Sequence, residues 1–156
     1  MKFVRNHRAG AARQGGFTLL ESLISLVILS VGMLGIAALY VEGLRAGRTA
    51  VYRTTAVNLA ADMMDRIRAN PQARFAYQGG GALNNCVNAG NNCTAQQMAQ
   101  EDVLLWTNEV AARMPGGVAA NVAVANAGVV DIYTITINWP EPGFDAPLSY
   151  SLVARL

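Results

Sequence analysis

The chain is poor in the side chains from which active sites are usually built. Its 156 residues include one histidine, His7, and two cysteines. Nucleophilic catalysis needs a nucleophile beside a base, and a structural zinc site needs about four Cys or His ligands. The carboxylates are scattered, and the neighbours Glu101 and Asp102 point in different directions on a predicted helix. We therefore expect no enzymatic activity, no metal site and no cofactor.

Charge is also scarce in one long stretch near the start. Between Gln14 and Val41 the only ionised side chain is Glu21, and residues 22–41 carry no formal charge. As a helix rising about 1.5 Å per residue, this stretch would span about 30 Å, the thickness of a bilayer's hydrocarbon core. We expect residues 17–41 to form a transmembrane helix. A carboxylate within such a helix is costly, which marks Glu21 as functional.

The basic residues are unevenly distributed. The formal net charge is +2, but four of the twelve basic side chains precede Gly16, leaving eight basic and ten acidic ones from Phe17 onward. With more acidic than basic side chains, the product is not expected to present the basic surface that proteins use to bind phosphates. No nucleic-acid partner is therefore expected. Arg45, Arg48 and Arg53 follow the apolar stretch, either as a solvated or headgroup-facing helix end or as a specific anion site.

Two glycines separate the basic start from the apolar stretch. A secretory signal places its apolar region before the cleavage point, whereas Gly15 and Gly16 precede this one. Cleavage there would leave the apolar helix in the product. Residues 1–16 are therefore predicted to be an unstructured basic leader.

Helical periodicity continues beyond the apolar stretch. Leu59, Met63 and Ile67 recur at helical spacing, with charged residues on other faces, which indicates a helix packed on a core. Asn70-Pro71 is expected to end it, because the residue before proline is pushed out of the helical region.

A second helix is predicted after a long glycine- and asparagine-rich loop at residues 72–93. Thr94 and Gln97 have the spacing of a capping box, and the apolar pattern runs to about Met114 with Trp106 as a core residue.

The loop carries both cysteines, Cys86 and Cys93. A disulfide in an oxidising compartment is the favoured interpretation, with two free thiols as the alternative. So short a closed loop would be stabilised by about 2 to 3 kcal/mol. The cysteine pair also favours an external location for the soluble domain, or head, that follows the apolar helix.

The last third of the chain is strand-like. Residues 121–125 are a weak candidate, residues 129–139 a strong one, and residues 148–156 alternate again. These predict a three-stranded antiparallel meander, with a fourth short strand from the loop region as an alternative. One face of the strong strand is apolar, and the second half of the long helix is its expected partner.

The start of the chain resembles a type IV prepilin with a class III signal. The resemblance rests on the basic leader, the glycine before the expected cleavage site and the apolar helix. Phe17 would be the first residue of the cleaved product and Glu21 its fifth. The segment at residues 58–71, and Trp106 followed by residues 114–117, resemble the PilV-type minor pilins, which are type IV pilus modification proteins.

This resemblance implies an α+β pilin fold. The first half of a long N-terminal helix would be transmembrane, and its second half would pack on a small antiparallel sheet. That second half, the sheet, the second helix and the disulfide loop would form a periplasmic head at residues 42–156. It also implies that prepilin peptidase cuts after Gly16 and N-methylates Phe17. The product would be a single-pass inner-membrane protein, whether or not it enters the surface pilus.

The resemblance further implies a function in assembly. The chain would join other minor pilins and the major pilin in a complex that primes pilus assembly, with Glu21 pairing with a neighbour's terminal amine to set the axial register. The alternative at Glu21 is a carboxylate tolerated near the headgroups. Alternative functions are a minor pseudopilin of a type II secretion system and an adhesive module displayed at a fibre tip.

Overall fold

The computed structural model describes residues 16–87, 91–126 and 130–156. Most of the predicted leader therefore lies outside the described residues, and the boundary at Val41 stays a prediction. Two compact units are present, Met1–Leu44 and Arg45–Leu156. The elements in chain order are α1 (Leu19–Ala69), a 3₁₀ helix (Pro71–Tyr77), α2 (Ala95–Arg113), β1 (Ala119–Asn126), β2 (Asp131–Trp139) and β3 (Leu148–Arg155).

In the first unit, the apolar part of α1 is not covered by any other segment that the structure describes. Its large side chains are exposed, as at Leu26 (62 %) and Leu34 (71 %). Within the described part of the chain, α1 is the one helix long and apolar enough to cross a membrane, judged by length and composition.

In the second unit, α1 contributes one buried face to the core. The predicted residues Leu59, Met63 and Ile67 are buried there, and Ala56 and Ala60 lie beside them. The helix ends at Ala69, directly before Asn70-Pro71. The predicted helix end is confirmed.

The second helix has the predicted start. Thr94 Oγ1 accepts the Gln97 backbone N–H at 3.2 Å, and the Thr94 N–H donates to Gln97 Oε1 at 2.9 Å, which is a complete capping box. Trp106 is fully buried, and its Nε1–H donates to the Leu59 carbonyl at 2.8 Å. Trp106 is therefore a core residue, as predicted.

The prediction of an irregular loop from residue 72 was wrong at its start, because residues 71–77 form a 3₁₀ helix. Ala73 and Tyr77 are buried on it. The Tyr77 hydroxyl donates to the Arg66 carbonyl at 3.0 Å, one of the carbonyls that a helix end leaves without an internal donor. Burial and, secondarily, the charge of Asp102 raise the pKa of Tyr77 to about 12.

The strands form the predicted antiparallel meander in the order β1-β2-β3. In register, Val122 faces Ile135, which faces Leu152. β1 is longer than predicted, and no fourth strand occurs in the ranges that the structure describes. The buried face of β2 consists of Tyr133, Ile135, Ile137 and Trp139.

A single apolar core holds the head together. It unites the buried face of α1, the inner side of α2 and the buried face of the sheet. This arrangement, with the exposed apolar start of α1 and a disulfide in the loop, is the predicted pilin-type fold.

Candidate functional site

The N-terminal motif precedes the first turn of α1. Residues 16–18 are not helical, and Phe17 is 84 % exposed. A Cβ built on Gly16 would meet nothing within 4 Å. Packing within the described residues therefore does not require glycine at position 16.

Thr18 caps α1, a role that the sequence analysis missed. Its Oγ1 accepts the Glu21 N–H at 3.2 Å, and its carbonyl accepts the Ser22 N–H at 3.2 Å. The signal was present, since Thr18 and Glu21 have the Ser/Thr-x-x-Glu spacing of a helix start. The cap places the Glu21 carboxylate in the first turn, where the helix dipole favours a negative charge.

The two cysteines are joined. Cys86 and Cys93 form a disulfide with their Cα atoms 5.7 Å apart, which confirms the predicted pairing over the free-thiol alternative. The disulfide closes the loop immediately before the cap of α2.

A buried carboxylate on α2 attaches this loop to the core. Glu101 is 3 % exposed, and its Oε2 accepts the backbone N–H of Cys86 at 2.7 Å and that of Asn84 at 3.2 Å. Hydrogen bonds to an ionised group are among the stronger ones. Sequence reasoning missed this role because the donors are main-chain groups 15 and 17 residues away.

The loop backbone also runs directly against α2. The Ala82 N–H donates to the Gln100 carbonyl at 3.0 Å, and Asn84 Nδ2 donates to the Gln97 carbonyl at 3.0 Å. A Cβ at Gly81 would lie 2.2 Å from the Leu104 nitrogen, so only glycine allows this approach. The loop is thus fixed at several points before it reaches the disulfide.

Asp102, the neighbour of Glu101, has different partners, as the sequence predicted. Arg66 Nη1 lies 3.6 Å from Asp102 Oδ1, and the Tyr77 hydroxyl lies 3.4 Å from Oδ2. Burial raises the pKa of Asp102, against the opposing effect of the Arg66 charge. These contacts connect α1, the 3₁₀ helix and α2.

Two of the arginines that follow the apolar stretch, Arg48 and Arg53, have different surroundings. Arg48 Nε is 3.8 Å from Oε1 of the buried Glu141, which also accepts the Thr49 hydroxyl at 3.1 Å. The guanidinium of Arg48 lies 5.8 Å from the Tyr52 ring centroid. Arg48 is therefore engaged within the head, while Arg53 lines a cleft beside β3.

An ion pair between the exposed Arg74 and the buried Asp131 lies at the end of the sheet where β2 begins. Arg74 donates to both carboxylate oxygens of Asp131, at 2.6 and 2.8 Å, and Asn126 Nδ2 donates to Oδ1 at 2.8 Å. The hydrogen bond from Arg74 lowers the pKa of Asp131. Arg74 adopts φ 45 in this position, a conformation that costs a non-glycine residue energy.

A metal centre is not formed by the residues in the described ranges. Among them, no group of three or more His, Cys, Asp or Glu side chains is arranged to hold a metal ion.

Comparison with known proteins gives two adjoining matches. Residues 38–104 match the family model described as Type IV pilin Tt1218, and residues 11–37 match the prokaryotic N-terminal methylation motif. Neither the curated proteins nor the solved structures give a match. Over these two segments the chain is similar to a type IV pilin and to proteins that carry an N-terminal methylation motif, and its fold is of the pilin type described above.

Proposed function

We propose that the chain is a minor pilin that helps to initiate and assemble type IV pili, in a priming complex with other minor pilins and the major pilin. The observation that carries this proposal is the exposed apolar surface of α1 in the first unit. The large side chains from Leu19 to Leu44 are exposed there, whereas the head has a core of its own.

An apolar surface of this size requires an external cover. Burying one leucine-sized side chain stabilises by about 1.5–3 kcal/mol, and α1 exposes many such side chains in sequence. Before assembly the cover is the inner membrane, which α1 crosses once with the head in the periplasm. After assembly the cover is the matching helices of other pilins.

The start of the chain is arranged for processing. Gly16 and Phe17 precede the cap at Thr18 and are not covered by any described segment. In our proposal, prepilin peptidase cuts between Gly16 and Phe17 and N-methylates the new terminus. The glycine is needed by the peptidase, because nothing in the described chain crowds that position.

Glu21 supplies the register of assembly in this proposal. After cleavage, the Phe17 ammonium and the Glu21 carboxylate lie one helical turn apart. In a bundle of such helices, each Glu21 would accept the terminal amine of a neighbour. A charge pair in a low-dielectric environment stabilises the one axial position of the helix at which the two groups meet.

Mass spectrometry of the N-terminus tests the proposal. In cells that contain prepilin peptidase, the chain should begin at methylated Phe17, and in cells without the peptidase it should retain residues 1–16. Gly16→Leu should block cleavage. Gly32→Leu, at another position with open space around the added side chain, should leave it unchanged. A chain that still begins at Met1 in peptidase-positive cells would refute the proposal.

The register role has its own test. Glu21→Gln should be cleaved normally but should not enter the assembly complex. Glu42→Gln, which removes a carboxylate further along α1, should be cleaved and assembled. Normal assembly of Glu21→Gln would show that the carboxylate is only tolerated.

Gene disruption separates a pilus component from a pseudopilus component. Loss of surface pili and twitching is the expected result. Blocked exoprotein release with intact pili would instead assign the chain to a type II secretion system.

A further inference from the structure

The outer edge of β3 is not paired with another strand in the part of the chain that the structure describes. Asp131 and Leu156 exchange both of their backbone hydrogen bonds, each at 3.0 Å. In an antiparallel ladder the facing pairs alternate, so the even-numbered residues of β3 bond to β2. The odd-numbered residues Ser149, Ser151, Val153 and Arg155 therefore direct their N–H and C=O groups away from the sheet.

These outward groups are accessible and lack partners. All four residues are exposed, and none of their backbone groups is bonded to another segment within the ranges that the structure describes. Another extended polypeptide presents backbone donors and acceptors at the same spacing, so it can pair with such a row as an added strand.

A cleft of about 390 Å³ follows this edge at one end of β3. It is lined by Arg53 and Val57 of α1, Trp139 of β2, and Leu148, Ser149 and Tyr150 of β3. Consecutive residues of a strand point to opposite faces, so a cleft that contacts three in a row runs along the strand edge.

Trp139, which lines the cleft, carries an unsatisfied donor. Trp139 is 1 % exposed, and its Nε1 has no hydrogen-bond partner in the described structure. Buried donors of this kind are normally paired. The Nε1 atom is itself buried, so an acceptor in the cleft would reach it only after a neighbouring side chain moved.

The charged side chains near β3 indicate which kind of segment could bind at this edge. Arg53 lies at the cleft and Arg155 at the other end of β3, both exposed, and neither has an ion-pair partner among the described residues. No acidic residue lies on β3. The edge therefore suits a strand that carries carboxylates and repels a basic one.

We propose that β3 receives an extended, acidic segment of a different pilin subunit, which adds as a fourth strand to the sheet β1-β2-β3. The segment bonds to the outward backbone groups of β3 and places a carboxylate in the cleft beside Arg53. A pilin is the source because, on the proposed function, other pilins surround this head in the assembly complex.

Photo-cross-linking in the full-length chain tests this inference. A photoreactive amino acid at Ser149, which lines the cleft, is introduced in cells that assemble pili. Mass spectrometry of the adduct should identify another pilin, joined through an extended acidic segment. An adduct with a second copy of this chain, or with a protein that is not a pilin, would overturn the proposal.

Two variants and their controls show whether the strand edge is responsible. Val153→Pro removes one outward N–H, and proline is tolerated on an edge strand when its N–H side faces solvent. Adduct yield should fall about fivefold, as expected for one lost backbone hydrogen bond. Val153→Thr keeps the N–H and should leave the yield unchanged.

The second variant does not touch the strand, so it controls for misfolding. Arg53→Glu should lower the adduct yield at least as much as Val153→Pro, because it opposes an acidic partner. Arg68→Glu, an exposed change elsewhere on α1, should not. Equal yields from all four variants would refute the strand addition.

The N-terminus is sequenced in the same samples. A chain that begins at Phe17 and assembles, but forms no adduct, overturns the strand addition alone. A chain that begins at Met1 instead overturns the proposed function.

Discussion

The two units of the molecule use similar residues in opposite ways. In the first unit, Met33 is 62 % exposed and Leu34 is 71 % exposed, whereas in the second Met63 is fully buried and Leu59 is 3 % exposed. All four residues lie on the same helix, α1. The difference lies in the partners, because the head supplies a second helix and a sheet, while no other described segment of the first unit covers α1. The head has an apolar core of its own, whereas on the proposed function the apolar stretch is covered by the membrane or by other pilins.

The largest expected effect comes from opening the core of the head. Trp106→Ala should destabilise the head by about 3–5 kcal/mol, because it removes a fully buried side chain and the hydrogen bond to the Leu59 carbonyl. Chemical unfolding of the full chain in detergent measures it.

Leu29→Ala is the matched change in the first unit, where Leu29 is 56 % exposed. It should alter the stability of the head by less than about 0.5 kcal/mol. A loss comparable to that of Trp106→Ala would break the contrast between the two units.

An intermediate effect is expected from the disulfide. Replacing Cys86 and Cys93 together by serine should lower the free energy of unfolding by about 2–3 kcal/mol, as for a short closed loop. Adding a reductant to the unaltered chain should have the same effect. If neither treatment lowers stability, the contacts of Glu101 with the loop are sufficient to hold it.

The smallest effect should appear only in acid. The pKa of Asp131 is lowered from its ordinary 3.8 by Arg74, so the native state binds fewer protons there than the unfolded state. This contribution to stability is present above pH 3.8 and is lost as the pH falls through the lowered pKa. Thermal unfolding against pH should show a shallower acid decline in Asp131→Asn than in the unaltered chain.

Asp102 provides a control of opposite sign. Its pKa is raised by burial, so its protonation on acidification favours the native state. Asp102→Asn should therefore steepen the acid decline. An unchanged profile in Asp131→Asn would show that Arg74 does not stabilise the ionised carboxylate.

Features encoded by short-range patterns were predictable from the sequence. Thr94 and Gln97 fix the start of α2, Pro71 fixes the end of α1, and the alternation in β2 predicts its buried face. Each of these depends on neighbours within a few residues, where spacing alone determines which groups can meet.

Features that depend on distant partners were not predictable. In the sequence, Glu101 is indistinguishable from other carboxylates on a helix. Its role depends on the N–H of Cys86, which only the folded chain brings to it. Arg74 and Asp131 are 57 residues apart and pair only after the sheet has formed. Of the candidate functional residues, the disulfide is confirmed, while the roles of Gly16, Phe17 and Glu21 remain proposals because they concern other proteins.

The way Glu101 holds the disulfide loop has a consequence for sequence divergence. The carboxylate contacts main-chain N–H groups, which every residue except proline provides. The exposed side chains Leu83 and Val87 take no part in this attachment. Side chains 83 and 87 can therefore be replaced without removing the hydrogen bonds by which Glu101 holds the backbone at Asn84 and Cys86.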